Sequence, residues 1–375
     1  MKKIKMIIIF CCSFFLIDYL FTFFLQKKIN FYEINYPSLD HRVSNQYFHH
    51  SFAQNVNTKD IWGSYEYEFI TNSLGFKDKS NRKISKKSNI KRIIFIGDSF
   101  TEGIGYKYED TFVGLIDNKF ENMQKEVLNA GVASQSPILY YLKIKYLIEK
   151  MKIDFDELIV FLDISDIPDE VYYKNSYDNT VKKNNNYYEL EKKIGVFLSR
   201  SFSSILLYNL VGEYLHQLKE YIQLRLNASK EFQISFFKIK NNQINFYKSI
   251  NVERGNWTHN EKLWEKHGKK GRDLAKINLE NLLDICKKNN IAMSLVIYPW
   301  PNQIYYNSNP LNHRVFWENW SKNNSINFYD FFNYFDLNNK EQVISEYFIA
   351  GDIHWNQNGH KYISKLFIKE YLKKN

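Results

Sequence analysis

The sequence predicts an α/β fold built on a doubly wound parallel sheet. Five apolar runs of strand length favour this sheet, the last of them weaker than the others: 93–99, 126–132, 157–164, 291–299 and 325–332. Stretches of helical character alternate with these runs or follow them: 109–123, 138–150, 271–289 and 356–373. Near-continuous apolar strands are typical of a sheet that is buried on both faces. Their alternation with helices favours parallel strand order.

The composition is that of a globular protein and excludes several other classes. Hydrophobic residues make up 44% of the 375 residues, aromatic residues 17% and charged residues 25%, so a core can be filled and disorder throughout is excluded. The six prolines exclude a proline-rich chain. Cys11 and Cys12 fall in an apolar N-terminal run, which leaves Cys286 alone in the remainder. A disulfide framework and a cysteine-built zinc site are therefore excluded there.

The net charge of +10 is spread thinly along the chain. Residues 1–28 carry +4, from five lysines and one aspartate, which leaves +6 for the following 347 residues. Such an excess is typical of a solvated surface with some attraction for anionic polymers or membranes. Because no recognisable nucleic-acid-binding module accompanies the charge, the sequence predicts no nucleic-acid partner.

The N-terminal segment, residues 1–28, has the pattern of a membrane anchor. Residues 6–25 are mainly apolar, and twenty helical residues rise about 30 Å, the thickness of a bilayer core. Lysines flank the run, and no small-residue cleavage site follows it. We expect a single-pass anchor in the inner (cytoplasmic) membrane, with the rest of the chain on the periplasmic side. A cleaved signal peptide is the alternative.

Behind the anchor, the pattern divides the chain into a lead-in and a main domain. Residues 29–90 are polar, aromatic and rich in asparagine, and they predict a β-rich lead-in. Residues 91–375 carry the α/β pattern, which a helical insertion interrupts at about 170–265. Apolar residues at helical spacing in 200–223 predict at least one amphipathic helix in this insertion. The insertion either packs on the main domain or serves as a lid, membrane-surface or partner contact.

A serine follows the first strand of the main domain in a turn rich in glycine. Ser99 lies in the segment Gly97–Gly103, GDSFTEG, directly after the apolar run. Ligands bind at the carboxyl edge of an open α/β sheet, and the N–H groups at a following helix start are the donors that an oxyanion needs. Ser99 is therefore a candidate nucleophile. The alternative is that Gly97 and Ser99 are ordinary turn and N-cap residues.

A candidate base and an orienting acid occur just before the last predicted helix. Asp352 and His354 are two residues apart, so in an extended loop both side chains can point the same way. Asp352 would then hold the imidazole and leave its other nitrogen for Ser99. His360 falls at the predicted helix start and is taken as structural. A metal site made of Asp352, His354 and His360 is an alternative by residue type, but no further cluster of ligands supports it.

These segments resemble the sequence blocks of the SGNH (GDSL) hydrolase superfamily. Gly97–Gly103 resembles the block that holds the nucleophile, and Asp352–His354 resembles the block that holds the acid and the base. Asn129–Gly131 is similar to the block whose glycine N–H lines the oxyanion hole. The resemblance implies a flavodoxin-like sheet, Ser99 as the nucleophile, and the N–H groups of Ser99 and Gly131 as oxyanion donors. It implies neither a metal nor a cofactor.

Two departures from the family pattern bear on the chemistry. The third block, Gly-x-Asn-Asp in the family, is DISD at Asp163–Asp166 here, so Ser165 stands where the oxyanion-hole asparagine would be. A hydroxyl can donate one hydrogen bond, and we expect Ser165 to act as a third oxyanion donor. The acid precedes the histidine by two residues instead of three. An Asp-x-His-Trp sequence resembles the alginate-type polysaccharide O-acetyltransferases, and Asn72–Phe76 is similar to segments of membrane-anchored proteins of this kind.

Two tryptophans at the predicted active edge are candidate residues of the substrate pocket. Trp300 follows the fourth predicted strand, and Trp355 follows His354 directly. A sugar ring could stack on either indole. The alternative is that both tryptophans pack the domain, since this residue is largely buried on average.

The resemblance implies a serine-dependent ester hydrolase that acts on acyl esters of envelope glycans or lipids. An O-acyltransferase to polysaccharide with the same triad is the first alternative. A non-catalytic envelope binding or assembly protein is the second, and the changed third block is its only support. The implied partners are an acylated glycan or lipid substrate and, through the N-terminal helix, the membrane.

Overall fold

The computed structural model describes residues 5–6, 9–10, 12–20, 41–63, 65–177, 241–306 and 313–374. The chain forms two compact units. The first unit comprises Met1–Leu39 and Lys182–Ile239, and the second comprises Asp40–Val181 and Lys240–Asn375. The predicted lead-in and main domain both contribute to the second unit.

In the first unit, residues 12–20 are helical. Within the described ranges, no helix combines the length and the apolar character needed to cross a membrane. The predicted anchor, residues 1–28, lies partly outside the described residues, and so does the predicted insertion, of which 178–240 are not described. The membrane anchor therefore stays a prediction.

Two antiparallel hairpins open the second unit. Their strands are β1 (Arg42–Asn45), β2 (His49–Phe52), β3 (Asn57–Trp62) and β4 (Tyr65–Ile70). Strand β1 pairs with β2, and β3 pairs with β4 over six residue pairs that end at Trp62 and Tyr65. Alternation of buried and exposed residues along β4 is typical of a strand that packs on one face only.

A five-stranded parallel sheet forms the centre of the second unit. Its strands are β5 (Lys91–Ile96), β6 (Lys125–Asn129), β7 (Glu157–Leu162), β8 (Ala292–Ile297) and β9 (Asn327–Asp330). Their order in the sheet is β6-β5-β7-β8-β9, and every adjacent pair is parallel. Strand β6 is added on one side of β5, and β7, β8 and β9 are added on the other side. The order of strand addition therefore reverses between β5 and β7. The prediction of a doubly wound parallel sheet is confirmed, and ligands of such sheets bind outside the carboxyl ends at this reversal.

The five predicted strands are all present, but each ends earlier than its apolar run. Strand β5 ends at Ile96 because Gly97 and Asp98 turn the chain into a helix. Strand β7, at the centre of the sheet, buries all six of its residues. The apolar runs thus mark the strands correctly, while their last residues form the loops of the carboxyl edge.

Helices cover the sheet in two groups. The α-helices of four or more residues that the structure describes in this unit are, in chain order, α1 (Ser99–Glu102), α2 (Phe112–Glu121), α3 (Pro137–Tyr146), α4 (Asp166–Tyr177), α5 (Asn241–Ile250), α6 (Lys269–Lys288), α7 (Pro301–Tyr306), α8 (His313–Asn323), α9 (Lys340–Tyr347) and α10 (Gln357–Lys374). Helix α10 packs against α2, whereas α6 packs against α3 and α4. The crossover from β5 to β6 and the crossovers from β6 onward run in opposite directions along the sheet, and right-handed crossovers of opposite direction must lie on opposite faces, which accounts for the two groups. The four predicted helices of the main domain are confirmed to within a few residues.

Lys77 connects the lead-in to the main domain. This residue forms an isolated β-bridge with Asn129, at the end of β6. Its buried Nζ donates to the carbonyl oxygens of Gly103 at 2.8 Å and Tyr106 at 2.6 Å, just after α1. Burial lowers the pKa of Lys77 to about 8, against the opposing effect of Glu102 and other carboxylates nearby. The lead-in is therefore attached directly to the loop that follows Ser99.

Candidate active site

The turn after β5 holds Ser99 at the carboxyl edge of the sheet. Asp98 caps α1, because its Oδ1 accepts a hydrogen bond from the N–H of Phe100 at 3.1 Å. A Cβ atom at Gly97 would lie 2.8 Å from the carbonyl oxygen of Phe161, so the turn can pass this close to β7 only with glycine. Ser99 itself is 8% exposed. The turn thus presents the hydroxyl at the edge while keeping most solvent away from it.

A continuous chain of hydrogen bonds joins Ser99 to His354 and Asp352. The distance from Ser99 Oγ to His354 Nε2 is 2.8 Å, and the distance from His354 Nδ1 to Asp352 Oδ1 is 2.6 Å. An ionised carboxylate can only accept hydrogen bonds, so Nδ1 carries the ring proton and Nε2 is free to accept from the serine. The structure thus brings together the three residues that the sequence predicts as nucleophile, base and acid.

A tight loop aims the acid at the histidine. Gly351 has a φ of +82°, and an isolated β-bridge between Phe348 and Trp355 closes the loop. Asp352 Oδ1 also accepts the backbone N–H groups of Ile353 at 2.5 Å and His354 at 3.0 Å. A gap of two residues between acid and base is therefore sufficient here, because the carboxylate folds back over its own loop.

The environment of Asp352 keeps its carboxylate ionised. Burial acts to raise the pKa of Asp352, but hydrogen bonds and charge from His354, with a further hydrogen bond from Trp62, lower it to about 2. The Trp62 indole N–H donates to Asp352 Oδ2 at 2.6 Å. Sequence analysis did not predict this contact. An ionised Asp352 can stabilise an imidazolium that forms next to it.

A buried cluster of three carboxylates lies on the other side of Ser99. One oxygen from each of Asp98, Asp163 and Asp166 lies within 4.8 Å of the others. Asp98 Oδ2 is 3.0 Å from Ser99 Oγ. Burial and the neighbouring Asp163 charge raise the pKa of Asp98 well above its ordinary value. Burial and both neighbours likewise raise the pKa of Asp166. A protonated Asp98 can donate to Ser99 Oγ, which leaves the serine proton for His354.

Donors already surround this acid cluster. Trp300 Nε1 donates to Asp163 Oδ2 at 2.7 Å, and the hydroxyl of Tyr140 donates to both carboxylate oxygens of Asp166 at 3.0 and 3.1 Å. Within the described residues, these three aspartates are the group whose spacing would suit a metal ion. The alternative set of Asp352, His354 and His360 is not assembled, because His360 Nδ1 instead accepts the N–H of Phe112 at 3.2 Å.

Two of the three predicted oxyanion donors have other hydrogen-bond partners in the structure, and their predicted role stays a prediction. The Gly131 N–H donates to Asn129 Oδ1 at 3.0 Å. The Ser165 hydroxyl donates to Asp163 Oδ1 at 2.6 Å, because that carboxylate turns back toward its own loop. The N–H of Ser99, as the first residue of α1, has no partner within its helix and stays a candidate donor.

Gly131 has a packing role that the sequence does not reveal. A Cβ atom at this position would lie 2.6 Å from the backbone nitrogen of Glu102 and 2.7 Å from the carbonyl carbon of Thr101. Such distances are shorter than any van der Waals contact, so the loop after β6 touches α1 backbone to backbone. Glycine at 131 is needed to seat the nucleophile helix.

Trp300 and Trp355 pack beneath the site instead of lining an open pocket, which agrees with the alternative that both tryptophans pack the domain. Each indole is 1% exposed. The ring of Phe100, the residue after the nucleophile, stacks on Trp300 with centroids 6.2 Å apart and meets Trp355 edge-on at 4.8 Å. The buried Phe100 ring packs against both indoles, so neither offers a free face to a sugar ring.

Sequence analysis also missed an ion pair that holds the lead-in against α1. Arg42 donates to Glu102 Oε1 at 2.6 Å and Oε2 at 3.3 Å, and to Asp60 Oδ2 at 2.8 Å. Glu102 is 0% exposed, and its Oε2 also accepts the N–H of Ala133 at 2.7 Å. A glutamate buried next to a nucleophile needs a cation or donors, and this requirement is the only sequence signal of the pair. The signal does not identify Arg42.

Several solved structures are similar to this chain, at low sequence identity. A GDSL-like lipase from Bacteroides thetaiotaomicron has 12% identity and a TM-score of 0.36, over 78% of this chain and 92% of its own. The psychrotrophic esterase EstA from Pseudoalteromonas sp. has 12% identity and a TM-score of 0.37, over 75% and 98%. A catalytic mutant of an acetylxylan esterase from Geobacillus stearothermophilus has 12% identity and a TM-score of 0.37, over 76% of this chain and 96% of its own. No protein-family model and no curated protein matches the chain. At these TM-scores, a function must rest on the chain's own residues.

Proposed function

We propose that the chain is a serine-dependent ester hydrolase that acts on acyl esters of envelope glycans or lipids. The observation that carries this proposal is the hydrogen-bond chain from Ser99 Oγ through the His354 ring to Asp352, with links of 2.8 and 2.6 Å. A nucleophile, a base and an orienting acid in hydrogen-bond contact are the requirement for acyl transfer through a serine.

The mechanism follows from the positions of the three groups. His354 Nε2 accepts the Ser99 proton as Oγ attacks the ester carbonyl carbon, and Asp352 stabilises the imidazolium without taking a proton. The Ser99 N–H faces the oxyanion of the tetrahedral intermediate. His354 then gives its proton to the leaving alcohol oxygen, and an acyl-serine is formed. Water attacks this ester with His354 as base, which releases the acid and restores the serine.

Transfer of the acyl group to a sugar hydroxyl is the second candidate. Ser99 and His354 are only 8% and 6% exposed, and a site closed to bulk water favours an acceptor that binds over one that diffuses in. The Asp-x-His-Trp sequence adds to this candidate. The proposed setting is the outer side of the inner membrane, supported by the apolar run at 6–25.

The test is turnover of p-nitrophenyl acetate by the full chain in detergent micelles, beside its Ser99→Ala variant. We expect the variant to lose at least about 10⁴-fold in kcat, because the whole triad acts through this oxygen. Circular dichroism and thermal unfolding check that both proteins are folded. Equal rates in two folded proteins would contradict the esterase and favour a non-catalytic role.

A second arm separates hydrolysis from transfer. An oligosaccharide acceptor is added to the same reaction, and its acetylation is followed by mass spectrometry. Acetylated sugar that forms faster than free acetate would favour the transferase. Acetate release that the sugar does not change would favour the hydrolase.

A further inference from the structure

We infer that Trp62, on the lead-in, is a positioning residue for the triad: its indole holds the second oxygen of Asp352 and fixes the plane of the His354 ring. This inference rests on the proposed function and deepens it. It makes the lead-in a working part of the site instead of a connection between anchor and main domain.

The two oxygens of Asp352 have different sets of donors. Oδ1 accepts from the backbone of the loop and from the His354 ring. Oδ2 accepts from the Trp62 indole N–H, at 2.6 Å. A carboxylate with one oxygen held can still tilt about its last torsion, whereas one with both oxygens held cannot. The short distance is that of a charge-assisted hydrogen bond.

Trp62 also contacts the base. Its ring meets the His354 ring edge-on, with centroids 5.1 Å apart and planes at 85°. Aromatic pairs prefer this arrangement, which limits rotation of the imidazole out of line with Ser99. One side chain therefore touches both the acid and the base, and it lies on neither of the elements that carry them.

The lead-in is fixed where Trp62 needs it. Trp62 ends β3, which pairs with β4 along its full length. Asp60, two residues earlier on the same strand, is joined through Arg42 to Glu102 of the nucleophile helix. The buried Lys77 holds the carbonyls that follow this helix. These attachments hold the indole against the same segment that carries Ser99. The indole therefore fixes the acid and the base relative to the nucleophile.

The test compares Trp62→Phe with the wild-type chain on p-nitrophenyl acetate. The variant keeps an aromatic ring next to His354 and removes the N–H donor. We expect kcat to fall by about tenfold to a hundredfold, because a hydrogen bond to a charged group is lost, while KM changes by less than about threefold. A merely structural residue would not produce this split.

The pH profile supplies a second readout. The Trp62 hydrogen bond helps to lower the pKa of Asp352, so its loss raises that pKa, and the acid limb of the kcat profile is expected to move to higher pH. Two other titratable groups lie near: Asp98, which contacts Ser99 Oγ, and His360 on α10, whose pKa is lowered in part by His354. Both are unchanged in the variant.

Two controls keep the outcome clear. Trp317→Phe removes an indole N–H that donates to His313 Nδ1 at 3.2 Å, on α8 beside β9, and it should keep the wild-type kcat. If Trp62→Phe does not fold, benzothienylalanine at position 62 replaces the N–H by sulfur and keeps the two-ring shape. The same fall in kcat is expected from it.

The outcomes separate this inference from the proposed function. Loss of turnover in Ser99→Ala together with wild-type kcat and pH profile in Trp62→Phe would overturn the inference alone. Turnover that survives Ser99→Ala would overturn the proposed function, and the inference with it.

Discussion

The two sides of Ser99 carry the same chemical group, with pKa values shifted in opposite directions. On one side, Asp352 stands behind His354, and its pKa is lowered to about 2. On the other side, Asp98 is in direct contact with Ser99 Oγ, and its pKa is raised well above 3.8. Both carboxyl groups are largely withdrawn from water, so burial alone does not explain the difference.

The neighbours of each carboxyl group decide its state. Asp352 faces donors only: an imidazole, an indole and two backbone N–H groups. Asp98 has donors of its own but faces the charge of Asp163. Pairs of acids whose surroundings separate their pKa values can divide the roles of a site between them. The ionised Asp352 supports the base, and Asp98, when protonated, would turn the serine proton toward that base.

Among variants of the groups on the two sides of Ser99, the largest expected effect comes from removing the charge of Asp352. An Asp352→Asn variant keeps the shape of the side chain, but its amide can donate to His354 Nδ1 and so favour the wrong tautomer of the ring. We expect kcat on p-nitrophenyl acetate to fall by about 10⁴-fold. The thermal unfolding temperature checks the fold. A fall of less than tenfold in a folded variant would remove the ionised acid from the mechanism.

A smaller effect is expected from Ser165→Ala. The Ser165 hydroxyl donates to Asp163 Oδ1 and is not aimed at an oxyanion. We expect kcat to fall less than about tenfold, whereas loss of a true oxyanion donor costs about 10²–10³-fold. Steady-state kinetics of the variant decide between the two values. The larger loss would mean that the hydroxyl rotates toward the substrate during the reaction.

A similarly small effect on rate is expected from Asp98→Asn, which imitates the protonated state. The amide can donate to Ser99 Oγ, and its oxygen can still accept from the Phe100 N–H. We expect kcat to fall at most about tenfold, far less than in Asp352→Asn. An equal loss in the two variants would erase the proposed difference between the two sides of Ser99.

The same Asp98→Asn variant should change how stability depends on pH. Because the folded-state pKa of Asp98 is raised, the folded protein binds more protons than the unfolded chain above pH 3.8, and its free energy of unfolding falls as pH rises toward the raised value. The asparagine removes this loss of stability. The unfolding temperature of the variant minus that of the wild-type chain should therefore be larger at pH 8 than at pH 4. Unfolding scans at both pH values measure it, and an equal difference at the two values would mean that Asp98 is ionised in the fold.

Much of the fold could be predicted because its signals are local. Apolar runs mark the strands of a sheet buried on both faces, and periodic apolar residues mark helices such as α6 (Lys269–Lys288), which buries Leu279, Leu282 and Cys286 on one side. The ends of the strands were less well predicted. At Gly97 and Asp98, hydrogen bonding of the helix cap ends the strand before the apolar run ends.

The site could be predicted where one segment determines the geometry, and not elsewhere. The turn around Ser99 and the loop of Asp352 and His354 are each local, so residue order was enough to find them. Ser165 was found, but its hydrogen bond to Asp163 depends on how one side chain turns. Trp62 reaches Asp352 across a separation of 290 residues, and neither segment contains a sign of the other.

The separation between Trp62 and Asp352 in the sequence also sets the delay between their synthesis. A ribosome adds about 5–20 residues per second, so about 15 to 60 s pass between the synthesis of Trp62 and that of Asp352, 290 residues later. During this interval the residues of the hairpins and Ser99 are made, but His354, which takes up the serine proton, is still missing. The chemistry proposed for the chain can begin only when the loop before the final helix has been made and has docked.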